Sequence, residues 1–324
     1  MKERIRSSIK KENLTTQLEK IDSSYITTFD SFALSIVKKY HYLMNLDQNI
    51  EIGNDLILKW QKEDILNKIF DNYYEDENPL FLKLIKDFTV RDDDKIKLSL
   101  LDIYNKLDLK YDKTSYLERY INNFYSDTYL DSKVFEYLEI IFKKIDKIKE
   151  NLSEIELLTD GDFYFSIYDS LEKILNTKDY NIIKDNLDIK LPRLKKGMED
   201  VKPYKEKISK ILKDLNKLMI YDSVSSIKES LISTKDYVSI IIEIIKKLDQ
   251  EFNDFKTKNN LYDFTDISKL AIKIVSEHNE IKNELKNFFH EILVDEYQDT
   301  SDLQELFISL IANDNVYMVG DIKQ

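Results

Sequence analysis

The sequence has no cysteine and only four glycines, three prolines and three histidines in 324 residues. Without cysteine there are no disulfides, no thiolate zinc sites and no cysteine nucleophile. His41, His278 and His290 are too far apart in sequence to suggest a metal-ligand motif. None of the glycines (Gly53, Gly161, Gly197, Gly320) precedes a lysine. The sequence therefore holds no Gly-x-x-x-x-Gly-Lys-Ser/Thr loop, in which glycine lets backbone N–H groups close around phosphates. Arginine is scarce too: Arg4, Arg6, Arg91, Arg119 and Arg193 are the only ones among 49 basic residues, so bidentate recognition of phosphate or bases has few donors. No apolar run approaches the ~20 residues a spanning helix needs. The charged amino terminus lacks the apolar stretch of a secretory leader. These absences lead to the expectation of a soluble, cytoplasmic protein with no membrane partner.

What is present is charge of both signs. The net charge of −12 is a balance of 49 basic and 61 acidic residues. An acidic total does not favour non-specific DNA binding, yet local basic tracts can still hold phosphate. The length is ample for a sizeable core and allows two domains.

Three zones differ in texture. Residues 1–45 read as helix, strand, helix: Ser24-Tyr25-Ile26-Thr27-Thr28 has β-branched and aromatic strand character, and Asp30 or Ser31 is placed to cap a helix over 32–40. Residues 46–255 read as wholly helical, with breaks at Asn78-Pro79 and from Pro192 through Gly197 to Pro203. Val134, Leu138, Ile141, Ile145, Ile148, Leu152 and Ile155 recur at steps of three and four. Val238, Ile241, Ile245, Leu248, Phe252 and Phe255 do the same. Each set predicts a helix with one narrow apolar seam, either packed within a helical domain or forming a coiled coil. Residues 256–324 return to α/β texture.

The most informative stretch is Glu291-Ile292-Leu293-Val294-Asp295-Glu296-Tyr297-Gln298-Asp299-Thr300. An apolar run suited to a buried strand ends in two adjacent carboxylates. In nucleotide-hydrolysing enzymes one such acid holds Mg²⁺ and the next acts on water. Ser301 and Gln304 form a capping box, and Leu303, Leu306, Phe307, Leu310 and Ile311 supply the apolar face of the helix that it opens. A second apolar run, Val316-Tyr317-Met318-Val319, closes in Gly320-Asp321-Ile322-Lys323-Gln324. Strand, helix, strand at this spacing predicts one βαβ unit with Asp295 and Asp321 at carboxyl strand ends, where ligands gather in open parallel sheets.

ILVDEYQDT followed by VGDIKQ resembles motifs II and III of superfamily 1 DNA helicases of the UvrD/Rep kind, and the second is most similar to the AddA/RecB branch. Thr27-Thr28-Phe29-Asp30-Ser31-Phe32 is similar to the family's Thr-Phe-His-Ser-Phe element, although Asp30 stands where histidine is frequent. Tyr262-Asp263-Phe264-Thr265-Asp266-Ile267 is similar to its Asp-Phe-x-Asp-Leu element, and Met1–Ile5 to the end of the helix after motif Ia. The matches keep the family's order and cover roughly 1–45 and 256–324.

The resemblance implies an α/β fold: part of a RecA-like P-loop NTPase domain with a parallel sheet, interrupted by a large all-helical insertion. Residues 1–45 and 256–324 are then the two parts of the RecA-like domain, and 46–255 an accessory insertion. It implies ATP and Mg²⁺ as cofactors, single-stranded and duplex DNA as partners, a nuclease–helicase partner subunit, and 3′-to-5′ translocation in DNA repair or recombination. Asp295 is the candidate for metal and nucleotide, Glu296 for activating water, and Gln324 for sensing the γ-phosphate. Asp321 is a further nucleotide-side candidate, while Gln298 and Asp299 help position the water and its loop. Thr28, Phe29, Ser31, Phe264 and Asp266 are the candidate single-strand contacts: aromatic faces accept stacked bases, and hydroxyl and N–H groups hold phosphate. The alternative for each phenylalanine is a place in the core, and a carboxylate at Asp30 repels phosphate. Lys190 to Lys213, with nine basic and three acidic residues, is either a duplex contact or a solvated face. Without a phosphate loop, the chain is expected to be an interior, split or truncated piece of a helicase and to turn over no ATP by itself. The competing expectation is a DNA- or partner-binding remnant that does not hydrolyse.

Overall fold

A computed structural model describes residues 2–89, 91–159 and 161–321. The chain falls into two compact units, residues 1–116 with 240–324, and residues 117–239.

In chain order, the first unit contains helices α1 (Lys2–Lys11), α2 (Thr15–Ser23) and α3 (Phe29–Lys39), the two-residue strand β1 (Glu51–Ile52), and helices α4 (Asp55–Glu75), α5 (Pro79–Phe88) and α6 (Asp94–Asp108). Helix α7 (Lys113–Phe124) runs on into the second unit, which holds α8 (Asp127–Leu158), α9 (Gly161–Leu175), α10 (Tyr180–Asp185), α11 (Lys202–Leu218) and α12 (Val224–Ser233). Helix α13 (Lys235–Asn259) brings the chain back to the first unit. There follow β2 (Leu261–Tyr262), α14 (Phe264–Glu277), α15 (Asn279–Phe288), β3 (Ile292–Val294), α16 (Asp302–Ile311) and β4 (Val316–Met318). Among the described residues the protein is mostly helical, with two small parallel sheets, β1–β2 and β3–β4.

The second unit has the seam its periodicity predicts. Val134, Ile141, Ile145, Ile148, Leu152 and Ile155 of α8 are all buried, with Leu138 packed beside them. They meet Ile167 and Leu171 of α9 and Ile208, Leu212 and Leu215 of α11. The segment between α10 and α11 is anchored to this core by Ile189, Leu191, Leu194 and Met198, while Lys190, Arg193, Lys195 and Lys196 stay exposed.

In the first unit, Ala33, Ile36 and Val37 of α3, Ile267, Ala271 and Ile274 of α14, and Leu303, Phe307 and Ile311 of α16 share one core. The stripe of α13 is rotated from the predicted one. Ile240, Ile244, Ile245, Leu248 and Phe252 are buried, and the position after Phe255 is the buried Lys256.

Other local expectations change. Ser24–Thr28 forms no strand; Ile26 N–H donates to Ser24 at 3.0 Å in a local turn. Tyr25 instead packs edge-on against Phe32, Phe288 and Phe289, with ring centroids 5.5–5.7 Å apart. Helix α3 starts three residues earlier than predicted because Thr28, not Asp30 or Ser31, is its cap. The stretch 46–255 is not wholly helical, since β1 pairs with β2 through Glu51↔Leu261 and Ile52↔Tyr262.

A buried polar network joins α6, α7, α13 and α14 inside the first unit. Lys113, only 7% exposed, donates to Asp108 at 2.7 Å and to Asp249. Lys269 donates to Asp108 at 2.7 Å and Tyr104 to Asp249 at 2.9 Å. Burial opposes the charge on Asp108, yet Lys113 and Lys269 outweigh it and hold the carboxyl at about 2. Burial pushes the Tyr104 phenol far up, helped by the charges of Asp108 and Asp249. Burial also lowers Lys62 despite the pull of Asp108 and Asp263.

Candidate functional site

Strands β3 and β4 pair in parallel through Ile292↔Val316, Leu293↔Tyr317 and Val294↔Met318. Helix α16 crosses between them, opened by the reciprocal cap of Ser301 and Gln304. This is the βαβ unit predicted from spacing. Leu293, Tyr317 and Val319 are 74%, 58% and 65% exposed, and period-two alternation puts all three on one face of the sheet.

Asp295 and Glu296 follow the last paired residue of β3, both exposed. One Asp295 carboxylate oxygen accepts the Glu296 N–H at 3.1 Å. Glu296 has a left-handed backbone, φ +53° and ψ +45°, uncommon for a residue with a Cβ. That turn redirects the chain so that Tyr297 N–H donates to Val319 at 2.9 Å, just as Val319 N–H donates to Val294 at 2.9 Å. The Gln298 side-chain oxygen accepts the Asp321 N–H at 3.0 Å. Gly320 lies so close that a Cβ there would stand 2.6 Å from the Gln298 side-chain oxygen, 3.2 Å from Gln298 N and 3.3 Å from Tyr297 N. Tyr297 donates to Glu305 at 3.0 Å, and that bond raises its phenol above the ordinary value. Asp295, Glu296, Gln298 and Asp321 thus come together at the carboxyl ends of two adjacent parallel strands. Gln324 lies outside the described residues.

The donor set fits Mg²⁺ held together with a nucleotide. Among the described residues no group of three or more acids or histidines is close enough to cage a metal ion. Mg²⁺ is usually held by one or two carboxylates plus phosphate oxygens and water, and the exposed Asp295 offers such a carboxylate.

The second group of candidates sits on two helix starts. Thr28 Oγ accepts the Ser31 N–H at 3.3 Å and donates to Ser31 Oγ at 2.9 Å, so both hydroxyls belong to the cap of α3 while remaining exposed. Phe29 is half-buried, its ring 5.5 Å from Phe307 of α16. Phe32 meets the same Phe307 and Phe289. Asp30 is half-buried, and burial raises its pKa. At the start of α14, Phe264 is 47% exposed. Asp263 and Asp266 flank it as a reciprocal cap, each carboxylate accepting the other's N–H, at 2.8 and 2.9 Å.

Asp266 also receives Lys256 on both oxygens, at 2.6 and 2.8 Å. Its carboxylate is therefore engaged within the protein, and burial pushes its pKa up against the pull of Lys256. Lys256 was not among the sequence candidates. The available signal was its spacing, since Leu248, Phe252 and Lys256 fall four apart on the buried face of α13.

The profile of the UvrD/REP helicase N-terminal domain matches residues 1–324. The chain belongs to this family. UvrD-type N-terminal domains are RecA-like helicase domains, which agrees with a βαβ unit ending in adjacent carboxylates. The chain is similar to the A subunit of the ATP-dependent helicase/nuclease of Ligilactobacillus salivarius (strain UCC118), 29% identical over 371 aligned residues, covering 100% of this chain and 30% of the relative. Proteins of the same name from Clostridium botulinum (strain Alaska E43 / Type E3) and Bacillus cytotoxicus (strain DSM 22905) are 27% and 26% identical, again over 100% of this chain and 30% of theirs. The chain thus spans 30% of the length of these relatives and stands on the AddA side of the UvrD-like helicases.

Proposed function

We infer that the chain is part of an ATP-dependent DNA helicase or translocase motor of the AddA type, serving DNA repair or recombination. The observation that carries this reading is the βαβ unit that brings Asp295, Glu296, Gln298 and Asp321 to adjacent strand ends, in a chain matched along its whole length by the helicase family. In this reading residues 1–45 and 256–324 are the two parts of a RecA-like domain, and 46–255 is its helical accessory insertion.

Asp295 would hold Mg²⁺, directly or through water, together with the phosphate oxygens of a nucleotide. When bound, the ion offsets the charge that develops on those oxygens. Glu296 orients the attacking water and accepts its proton, and the left-handed turn at this residue supports that role by fixing where the carboxylate starts. Gln298 holds the loop through Asp321 N–H, and Gln324 senses the γ-phosphate. Thr28, Phe29, Ser31 and Phe264 face single-stranded DNA, with Phe264 the best-exposed stacking surface. Asp266 serves that element by capping its helix and not by touching phosphate. The phosphate cradle is not in these 324 residues, so the reading needs it from elsewhere. The relatives are named as one subunit of a helicase/nuclease, which supports a second, different subunit in the role of partner.

The test is ATP turnover by the chain assembled with a phosphate-loop segment and a second motor lobe. Single-stranded DNA is expected to stimulate turnover, and Glu296→Gln to abolish it while nucleotide binding is kept. Turnover indifferent to Glu296→Gln overturns the assignment. Strand displacement from 3′-tailed but not 5′-tailed duplexes is the expected sign of 3′-to-5′ movement.

A second reading, DNA binding without hydrolysis, is favoured by the exposed cations on an anchored segment, Lys190, Arg193, Lys195 and Lys196. Nucleotide-independent duplex binding that survives Asp295→Ala is its signature.

A further inference from the structure

A lysine that is 2% exposed is uncommon, because lysine is almost never fully buried unless paired. Lys256 reaches from the last turns of α13 to the first turn of α14, the element that carries Phe264. Its ammonium bonds both oxygens of Asp266 at 2.6 and 2.8 Å, lies 3.8 Å from Asp263, and sits 4.6 Å from the centre of the Phe252 ring. The two carboxylates it meets are those that cap α14 on either side of Phe264.

The backbone around Phe264 is held at three points. Asp263 N–H is bound by Asp266, Asp266 N–H by Asp263, and the Phe264 carbonyl accepts Ser268 Oγ at 2.8 Å. The ring itself is 47% exposed. An aromatic surface on a fixed backbone binds a base without first losing the freedom of a mobile loop.

We propose that Lys256 is a positioning residue for single-stranded nucleic acid: by pairing with Asp266 it fixes the cap that presents Phe264 to an unpaired base. This rests on the reading of Phe264 as a single-strand contact. Lys256 does not itself touch the strand. Without its ammonium, Asp266 is left as a buried carboxylate short of its main charge partner. The carboxylate then takes up a proton, which weakens it as acceptor for the Asp263 N–H, or turns toward water, which removes that half of the cap.

The experiment measures affinity of the 324-residue chain for oligo(dT), alongside helicity and thermal midpoint. Phe264→Ala is expected to weaken binding roughly tenfold, the loss of one base stack. Lys256→Met is expected to weaken it comparably at unchanged helicity, and the double variant no further than Phe264→Ala alone. Phe264→Trp in a Trp60→Phe background reports the geometry directly. Its anisotropy falls, and its quenching by oligo(dT) diminishes, when Lys256→Met is added.

Wild-type affinity in a folded Lys256→Met, or additive losses in the double variant, overturns the proposal while leaving the contact at Phe264 intact. If Lys256→Met lowers the thermal midpoint or helicity, Lys256→Arg and Asp266→Asn decide. Affinity lost in a folded Asp266→Asn and largely kept in Lys256→Arg supports positioning, and affinity kept in both refutes it. A parent chain that does not bind oligo(dT), or a Phe264→Ala that binds normally, refutes the underlying reading of Phe264 and the role of Lys256 with it.

Discussion

Lys113→Met tests whether the buried network of the first unit stabilises the fold as its geometry implies. Methionine keeps most of the aliphatic stem and its packing, so the change isolates the ammonium. Removing one partner of a buried ion pair costs about 3–5 kcal/mol. Here Asp108 keeps Lys269 at 2.7 Å and Asp249 keeps Tyr104 at 2.9 Å, so a loss of about 2–3 kcal/mol is expected. The acid titration gives an independent reading. Asp108 is depressed from 3.8 to about 2, a difference worth about 2 kcal/mol. A carboxylate whose folded pKa is depressed contributes stability fully present above about pH 4 and lost as pH falls toward 2. The assay is urea unfolding followed by far-ultraviolet circular dichroism at pH 7 and at steps between pH 5 and 3. Lys113→Met should lower the midpoint at pH 7 and flatten the acid-side decline, because Asp108 then titrates nearer its ordinary value. A variant within about 0.3 kcal/mol of the parent, with the same acid-side slope, would refute the reasoning.

Two further outcomes follow from the site and one from the second unit. The 324-residue chain given Mg²⁺ and ATP is expected to show no turnover above background; turnover that Glu296→Gln abolishes would contradict this. Gly320→Ala should destabilise the β3–β4 turn by about 1 kcal/mol, since its Cβ would crowd the backbone N of Gln298 and Tyr297 at 3.2 and 3.3 Å and push aside the Gln298 side-chain oxygen that accepts the Asp321 N–H, and thermal melts read this directly. Changing Lys195, Lys196 and Lys202 together to Glu should weaken duplex binding and reduce its salt slope by up to about three. An unchanged affinity and slope would make this segment a solvated face.

The elements legible in the sequence were those fixed by local chemistry. The Ser301–Gln304 cap and the spacing of the α8 stripe depend on neighbours within a few residues, and both form as read. The strand run into Asp295 also forms, but through its pairing with Val316–Met318. It is not the buried strand its apolar run suggested, since Leu293 is 74% exposed. The misread elements depend on distant partners. Ser24–Thr28 has strand propensity, but a strand needs a ladder, and Tyr25 is taken up by Phe32, Phe288 and Phe289 instead. Glu51-Ile52 is a strand only because Leu261-Tyr262 lies alongside it. Lys256 was hidden because a lysine on an apolar stripe looks like a stripe that has ended. Only the fold reveals that Asp266 receives it.

The open face of the β3–β4 sheet bears on how the chain behaves in concentrated solution. Leu293, Tyr317 and Val319 form an apolar strip on a sheet in which, among the described residues, each strand has one neighbour, a surface prone to self-association. The net charge of −12 opposes close approach of copies only while it is unscreened, and at 0.15 M salt its reach is about 8 Å. The colloidal stability of the chain is therefore greatest at low ionic strength and falls as salt is added. A charged residue in place of Tyr317, which pairs with Leu293, would interrupt the apolar strip and weaken that dependence.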